Sequence, residues 1–150
     1  SNLIGSISMA AKKARVKWAG DMTFIGESPS GHAVVMDSGS GDGGLDHGIR
    51  PMEMLLLGMG GCSSIDVMLM LKKSRQKVTD CWVELDSERA EEPPRVFTKI
   101  HAHFVITGHG VDPRAVERAI QLSKDKYCSA SVQLGAMAEI TTDFEVREAD

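Results

Sequence analysis

The sequence predicts an α+β fold whose elements run β-β-β-α-β-β-α-β, an antiparallel sheet packed on two helices. One observation is a long, largely apolar segment from Pro51 to Lys73, PMEMLLLGMGGCSSIDVMLMLKK, too long for a strand and carrying helix start and stop signals. A second is the alternation of apolar and polar residues in Val78 to Arg89 and again in Val96 to Thr107, with Glu91-Glu92-Pro93-Pro94 turning the chain between them. Such alternation sends every second side chain to one face, as a half-buried strand requires. The third is a helix opening at Asp112-Pro113 after those strands. Hairpin connections imply antiparallel pairing.

Taken in order, Ala14 to Gly20 and Met22 to Glu27 flank the turn signal Gly20-Asp21 and read as a hairpin. His32 to Asp37 follows the Pro29-Ser30-Gly31 turn as a third strand. Ser38 to Gly48, SGSGDGGLDHG, is too rich in glycine for regular structure and reads as a mobile loop into the long helix. Pro51 suits a first helical turn, where a missing N–H is no loss. Lys72, Lys73 and Arg75 complement the negative end of the helix dipole. Because no residue from Met54 to Ile65 is charged, this helix is expected to be central and buried on nearly all sides. Asp66 interrupts the run before it reaches the roughly 20 apolar residues of a bilayer span, so no membrane crossing is expected.

Gly58, Gly60 and Gly61 each cost a helix interior about 1 kcal/mol relative to alanine and need a reason. Either another backbone comes close there, or the helix breaks at Gly60-Gly61 and Cys62 begins a second one. The second arrangement would lower the thiol pKa at a positive helix terminus. Met52, Met54, Met59, Met68 and Met70 read as adaptable core fillers.

Beyond the helix, Cys81, Val83 and Leu85 share one strand face and Trp82, Glu84 and Asp86 the other; on the next strand Ile100, Ala102, Phe104 and Ile106 point inward. The second helix takes Asp112 as N-cap, Pro113 as its first residue and Val111 against Val116 as a hydrophobic staple. Its apolar stripe of Val116, Ala119, Ile120, Ser123 and Tyr127 places Tyr127 on the core side and Cys128 at the helix's far end. Met137 to Arg147 closes the fold as a strand burying Ala138, Ile140, Phe144 and Val146.

The 150 residues suit a single domain, 1–150, with Met9 as a plausible native start and Ser1 to Ser8 as an appended segment. A net charge of -4 with scattered Lys and Arg argues against a nucleic-acid partner. Three cysteines with no secretory signal make no disulfide scaffold and fit a reducing, cytoplasmic compartment.

Cys62, beside the glycines, and Cys128, beside Tyr127, are the sharpest candidates for chemistry, since helix packing can bring the two sulfurs together. Buried cysteine is otherwise a small hydrophobe, the reading given to Cys81. His101 and His103 alternate onto one strand face with His109 beyond, but no third ligand at zinc spacing accompanies them, so no metal is expected. His47 reads as an exposed loop histidine, and no motif for a cofactor is present.

Pro51-Met52-Glu53-Met54-Leu55-Leu56 leading to Gly61-Cys62, together with Lys126-Tyr127-Cys128, resembles the two cysteine motifs of the OsmC/Ohr family. The element order agrees, the resemblance runs from Ala14 to Glu148, and RPMEM, GGCSSIDV and DKYCS look closest to the YhfA-type subgroup. The resemblance implies an OsmC-like fold, an intertwined homodimer with active sites at the subunit interface, and a thiol-dependent hydroperoxide reductase with Cys62 peroxidatic and Cys128 resolving. In the peroxidase branches an arginine from the N-terminal strands and a glutamate ten residues before the first cysteine activate the thiol. Here Met52 occupies the glutamate position, and no arginine lies between Trp18 and Ile49. Arg50 and Glu53 are the nearby substitutes. Asp66, one turn beyond Cys62 on the same side, raises the thiol pKa unless it is paired.

The expected function is therefore reduction of organic hydroperoxides or peroxide through a two-cysteine disulfide cycle, with a small hydroperoxide substrate and a dithiol reductant as partners. The alternative is a non-enzymatic small-molecule-binding protein on the same fold, suggested by Met52 and the missing arginine.

Overall fold

A computed structural model describes residues 12–150, and the expected native start at Met9 lies outside them. The chain divides after Met54 into two compact units. In the first, β1 (Arg15–Trp18), β2 (Phe24–Glu27) and β3 (Ala33–Met36) form an antiparallel sheet in that order. The Gly20-Asp21 turn between β1 and β2 has positive φ at both residues, 98° and 47°, a geometry that glycine adopts freely and aspartate tolerates.

The glycine-rich segment is more ordered than its composition suggests. It holds a 3₁₀ turn at Ser40–Asp42 and is built around the buried Asp37 carboxylate. Asp37 accepts the Thr23 hydroxyl at 2.9 Å and the backbone N–H groups of Ser38 and His47 at 2.7 and 3.2 Å. Burial by itself pushes this carboxyl up, but the hydrogen bonds outweigh it and hold Asp37 below the usual carboxylate range.

The long helix α1 (Pro51–Lys73) is continuous through Gly60-Gly61, so Cys62 does not begin a second helix. Close approach explains Gly60, though of side chains rather than of another backbone: a Cβ there would lie 2.7 Å from Leu85 Cδ1 and 3.3 Å from Val83 Cγ1, both on the strand that follows. Met59, Ser63, Val67 and Leu71, spaced four residues apart, form the buried stripe of α1. Each apolar side chain so buried contributes about 1.5–3 kcal/mol. Burial on nearly all sides does not hold in the single chain, because Leu57, Ile65 and Leu69 are 61%, 64% and 62% exposed. By length and composition α1 is apolar enough to cross a bilayer despite Asp66, a property it shares with core helices, and its buried stripe faces the protein's own strands and turns.

In the second unit β4 (Lys77–Arg89), β5 (Phe97–His109) and β6 (Glu139–Glu148) form a sheet with β5 at its centre. β4 and β5 are the expected antiparallel hairpin. β6 instead runs parallel to β5, a correction to an all-antiparallel sheet. The chain between them is a long crossover carrying helices, which returns a strand in the same direction, whereas a tight hairpin reverses it. Ile100, Ala102, Phe104 and Ile106 are buried as expected, and Val105 on the opposite face is buried with them.

The crossover holds α2 (Pro113–Leu122), a wide π-type turn at Ser123–Tyr127 and a short helix α3 (Ser129–Gly135). Asp112 caps α2 as predicted, its carboxylate accepting the Arg114 N–H at 2.9 Å. The predicted second helix, with Cys128 at its far end, is thus α2 followed by the wide turn; α3 lies beyond it and was not predicted, and the turn between the two helices sets the site.

Candidate active site

The wide turn positions the second cysteine. Its closing bond runs from the Cys128 N–H to the Ser123 carbonyl at 2.8 Å, five residues back. One extra residue in that turn rotates everything after Ser123 out of helical register. Tyr127, expected on the core side, is therefore 51% exposed with Lys126 Nζ 5.3 Å from its ring centroid, and Cys128 takes the inward place with no exposed surface. Cys128 ends one element and opens the next, as N-cap of α3.

From α1, Cys62 and Asp66 lie one helical turn apart and meet Cys128. One sulfur from each cysteine and one Asp66 oxygen all lie within 4.8 Å of one another. All three cysteines of the chain are free. Cys62 and Asp66 are half-buried, so the cluster is reached from their side. The sequence placed Cys62 and Cys128 together in outline, and the structure brings them together through the turn rather than through the end of a helix.

Polar contacts hold Cys128 and Asp66. Ser131 donates to the Cys128 sulfur twice, from its hydroxyl at 3.1 Å and its backbone N–H at 3.3 Å. Burial raises the Cys128 thiol above its ordinary value, and the Ser131 bonds counter this while neighbouring Cys62 adds to it. Asp66 accepts the Ser123 hydroxyl at 3.0 Å, so it is partnered. Ser123 has one proton, which goes to Asp66; the buried Ser63 hydroxyl, 3.1 Å away, therefore donates to Ser123. The order Ser63 to Ser123 to Asp66 follows.

Ser63, Ser123 and Ser131 were not among the sequence candidates. The available signal was a serine at a buried helical position, since a hydroxyl inside a core calls for a partner.

Arg50 and Glu53 belong to the first unit. The Arg50 guanidinium pairs with Asp46 at 2.8 Å and donates to the Gly48 carbonyl at 3.0 Å, while Glu53 accepts the Arg50 backbone N–H at 2.8 Å. The Asp46 bond, against a desolvation that lowers it, raises the Arg50 pKa. Both residues thus fasten the loop to the start of α1. His47 is exposed, and Cys81, half-buried on β4, has its pKa raised by burial and then by Asp80.

His101 and His103 are engaged by the neighbouring strand. Asp143 Oδ1 bonds His101 Nε2 at 2.9 Å and His103 Nδ1 at 2.7 Å, Thr141 meets His101 Nδ1 at 2.7 Å, and Glu145 lies 3.4 Å from His103 Nε2. Asp143 above all, opposed by desolvation and aided by Glu145, raises the His103 pKa, and His103 in turn lowers that of Asp143. These carboxylate partners come from β6, whose parallel register the sequence reading lacked.

An open groove of about 880 Å³ borders the cluster at Asp66. Leu69, Met70, Leu122 and Tyr127 give it apolar wall, and Lys73 and Arg118 bring positive charge.

With this geometry in hand, comparison with known proteins gives a consistent answer. Residues 41–143 match the family model described as OsmC-like protein. The chain is 51% identical over 134 residues to Protein YhfA of Escherichia coli strain K12, covering 89% of this chain and 97% of that one. A crystal structure of a hypothetical protein from Aquifex aeolicus VF5 superposes with a TM-score of 0.81 at 30% identity, covering 95% of this chain and 100% of the other. An organic hydroperoxide resistance protein OsmC from Legionella pneumophila shares the fold at a TM-score of 0.67 and 14% identity, covering 91% and 98%. The cysteine motifs, the fold and these relatives agree: the chain belongs to the OsmC-like family.

Proposed function

We propose that this protein is a cytoplasmic, homodimeric thiol peroxidase that reduces organic hydroperoxides or peroxide in oxidative-stress defence, with Cys62 attacking and Cys128 resolving. The observation that carries the reading is the approach of the two free sulfurs, which lie within 4.8 Å of one another with Cys62 on the accessible side. The Cys62 thiolate attacks one peroxide oxygen, the O–O bond breaks, and the product oxygen leaves and takes a proton as the alcohol or water. The resulting Cys62 sulfenic acid is attacked by the Cys128 sulfur, which forms the disulfide and releases water. A dithiol reductant restores both thiols and is itself oxidised to a disulfide. A fold shared with a protein named for organic hydroperoxide resistance supports the chemistry.

Homodimerisation rests on the apolar faces the single chain leaves bare. Leu57, Ile65 and Leu69 on α1 are more than half exposed, as are Val16 and Trp18 on β1.

The test is consumption of cumene hydroperoxide with dithiothreitol as reductant. Cys62→Ser should abolish it, and Cys128→Ser should allow formation of a sulfenic acid without the intramolecular disulfide. Undiminished turnover in Cys62→Ser would refute the assignment.

A second reading is a non-enzymatic carrier of a small apolar molecule. The groove bordered by Leu69, Met70, Leu122 and Tyr127 favours it. Native mass spectrometry showing a bound apolar ligand, retained in Cys62→Ser, together with no peroxide consumption, would select this reading.

A further inference from the structure

We propose that the reduced Cys62, Asp66 and Cys128 cluster is a site for a thiophilic divalent cation of the zinc class, held by two sulfurs and one carboxylate oxygen with a fourth position open. The donor set is suited to such an ion, since thiolate and carboxylate oxygen are both zinc ligands and three protein ligands plus one open position is a recurrent zinc arrangement. The spacing is close to what is needed. Around a tetrahedral ion with Zn–S near 2.3 Å and Zn–O near 2.0–2.2 Å, the ligand atoms stand roughly 3.5–3.8 Å apart. Separations within 4.8 Å reach that range by side-chain movement of about an ångström or less.

Asp66 is the residue that argues most strongly for a cation. Its oxygen lies within 4.8 Å of both sulfurs and has no part in the two-cysteine cycle, so a third ligand atom stands beside the sulfur pair. Around a divalent ion the same three negative ligands become complementary. The carboxylate is also oriented as a ligand: Ser123 donates to it at 3.0 Å, and the buried Ser63 stands behind Ser123 at 3.1 Å. Ser131 gives Cys128 the corresponding support with two donors on the sulfur. Hydrogen-bonded outer partners of this kind fix ligand geometry in metal sites.

Access runs past Cys62 and Asp66, which are half-buried, and leaves the fully buried Cys128 as the inner ligand. Among the described residues, the His101, His103, Asp143 and Glu145 group is a poorer competitor, because its imidazole nitrogens already bond Asp143, Thr141 and Glu145.

Binding displaces any proton on either sulfur into solvent and changes no oxidation state. A metal-bound sulfur pair cannot form a disulfide at the same time, so the ion and oxidation exclude one another. This inference does not depend on the peroxidase reading, since it requires only the reduced cluster.

The experiment is a Co²⁺ titration of the metal-free, fully reduced chain, followed by displacement with Zn²⁺. One equivalent of cobalt should produce near-ultraviolet sulfur-to-cobalt absorption and tetrahedral visible bands, both removed by one equivalent of zinc. The bands should vanish in Cys62→Ser and Cys128→Ser, persist in Cys81→Ser, and require at least tenfold more cobalt in Asp66→Asn. Should Cys128→Ser fail to fold, alkylation of Cys62 in the wild type replaces it: one equivalent of zinc should slow that alkylation at least tenfold. No charge-transfer band at excess cobalt, bands that survive Cys62→Ser, or binding lost in His103→Ala would overturn the site. Peroxide turnover is not read in this titration, so failure of one assignment is distinguishable from failure of the other.

Discussion

The Ser123 hydroxyl donates to the Asp66 carboxylate at 3.0 Å, joining the wide turn after α2 to the middle of α1. Ser63 completes the chain of donors behind it. Ser123→Ala removes the acceptor of Ser63 and the donor of Asp66 together, leaving a buried hydroxyl without its partner. The expected cost is about 1–3 kcal/mol of unfolding free energy. Urea denaturation checks it, and a change within a few tenths of a kcal/mol would show that the bond is replaced by water.

The two site cysteines should differ in labelling. Cys62 is half-buried, whereas Cys128 has no exposed surface and its pKa is raised by burial. Because the thiolate is the reactive form, iodoacetamide should modify Cys62 first, and Cys128 should respond only at higher pH or after unfolding. Cys81, also raised by burial and by Asp80, should lag behind Cys62 as well. Mass-resolved peptides taken over a pH series decide this, and faster labelling of Cys128 at neutral pH would contradict the structure.

His103 and Asp143 link stability to pH. The folded pKa of His103 is raised, with Asp143 as the largest cause, so its contribution is full below the unfolded value near 6.5 and is lost as pH rises through the higher folded value. The folded pKa of Asp143 is lowered, chiefly by His103, so its contribution is present above about 3.9 and is lost as pH falls through the folded value. The pair therefore stabilises most between roughly pH 4 and 6.5. Melting temperatures of wild type and His103→Asn should differ most in that window and converge above it. Parallel curves from pH 5 to 9 would show that the pair contributes nothing pH-dependent.

Gly58 and Gly61 have open space around them in the single chain, unlike Gly60 against Leu85. Were their face bathed in solvent, alanine at both would raise helix propensity by about 1 kcal/mol each. If that face instead receives a second copy of the chain, as proposed, the added methyl groups hold the partner away. We expect Gly58→Ala/Gly61→Ala to shift sedimentation at low micromolar concentration from dimer toward monomer. A dimer that persists with a higher melting temperature would place the interface elsewhere.

Much of this molecule follows from local pattern. The bounds of α1 from Pro51 to Lys73, the β4–β5 hairpin and the Asp112 cap rest on side-chain period and end chemistry, which are properties of neighbours in sequence. Cys62 and Cys128 could be singled out by the motifs around them. What local pattern did not reveal was the wide turn at Ser123–Tyr127, because one extra residue in a helical turn is stabilised by what it meets across the core. That turn exposes Tyr127, buries Cys128 and joins Ser123 to Asp66. The parallel pairing of β6 with β5, and with it the carboxylates on His101 and His103, likewise depended on where the crossover returns the chain. Sequence by itself determined the strands, α1, the start of α2 and which cysteines to watch, but not the wide turn or α3. Tertiary structure decided which side chains share a site, because contacts between residues some sixty positions apart are set by packing and not by the period of either segment.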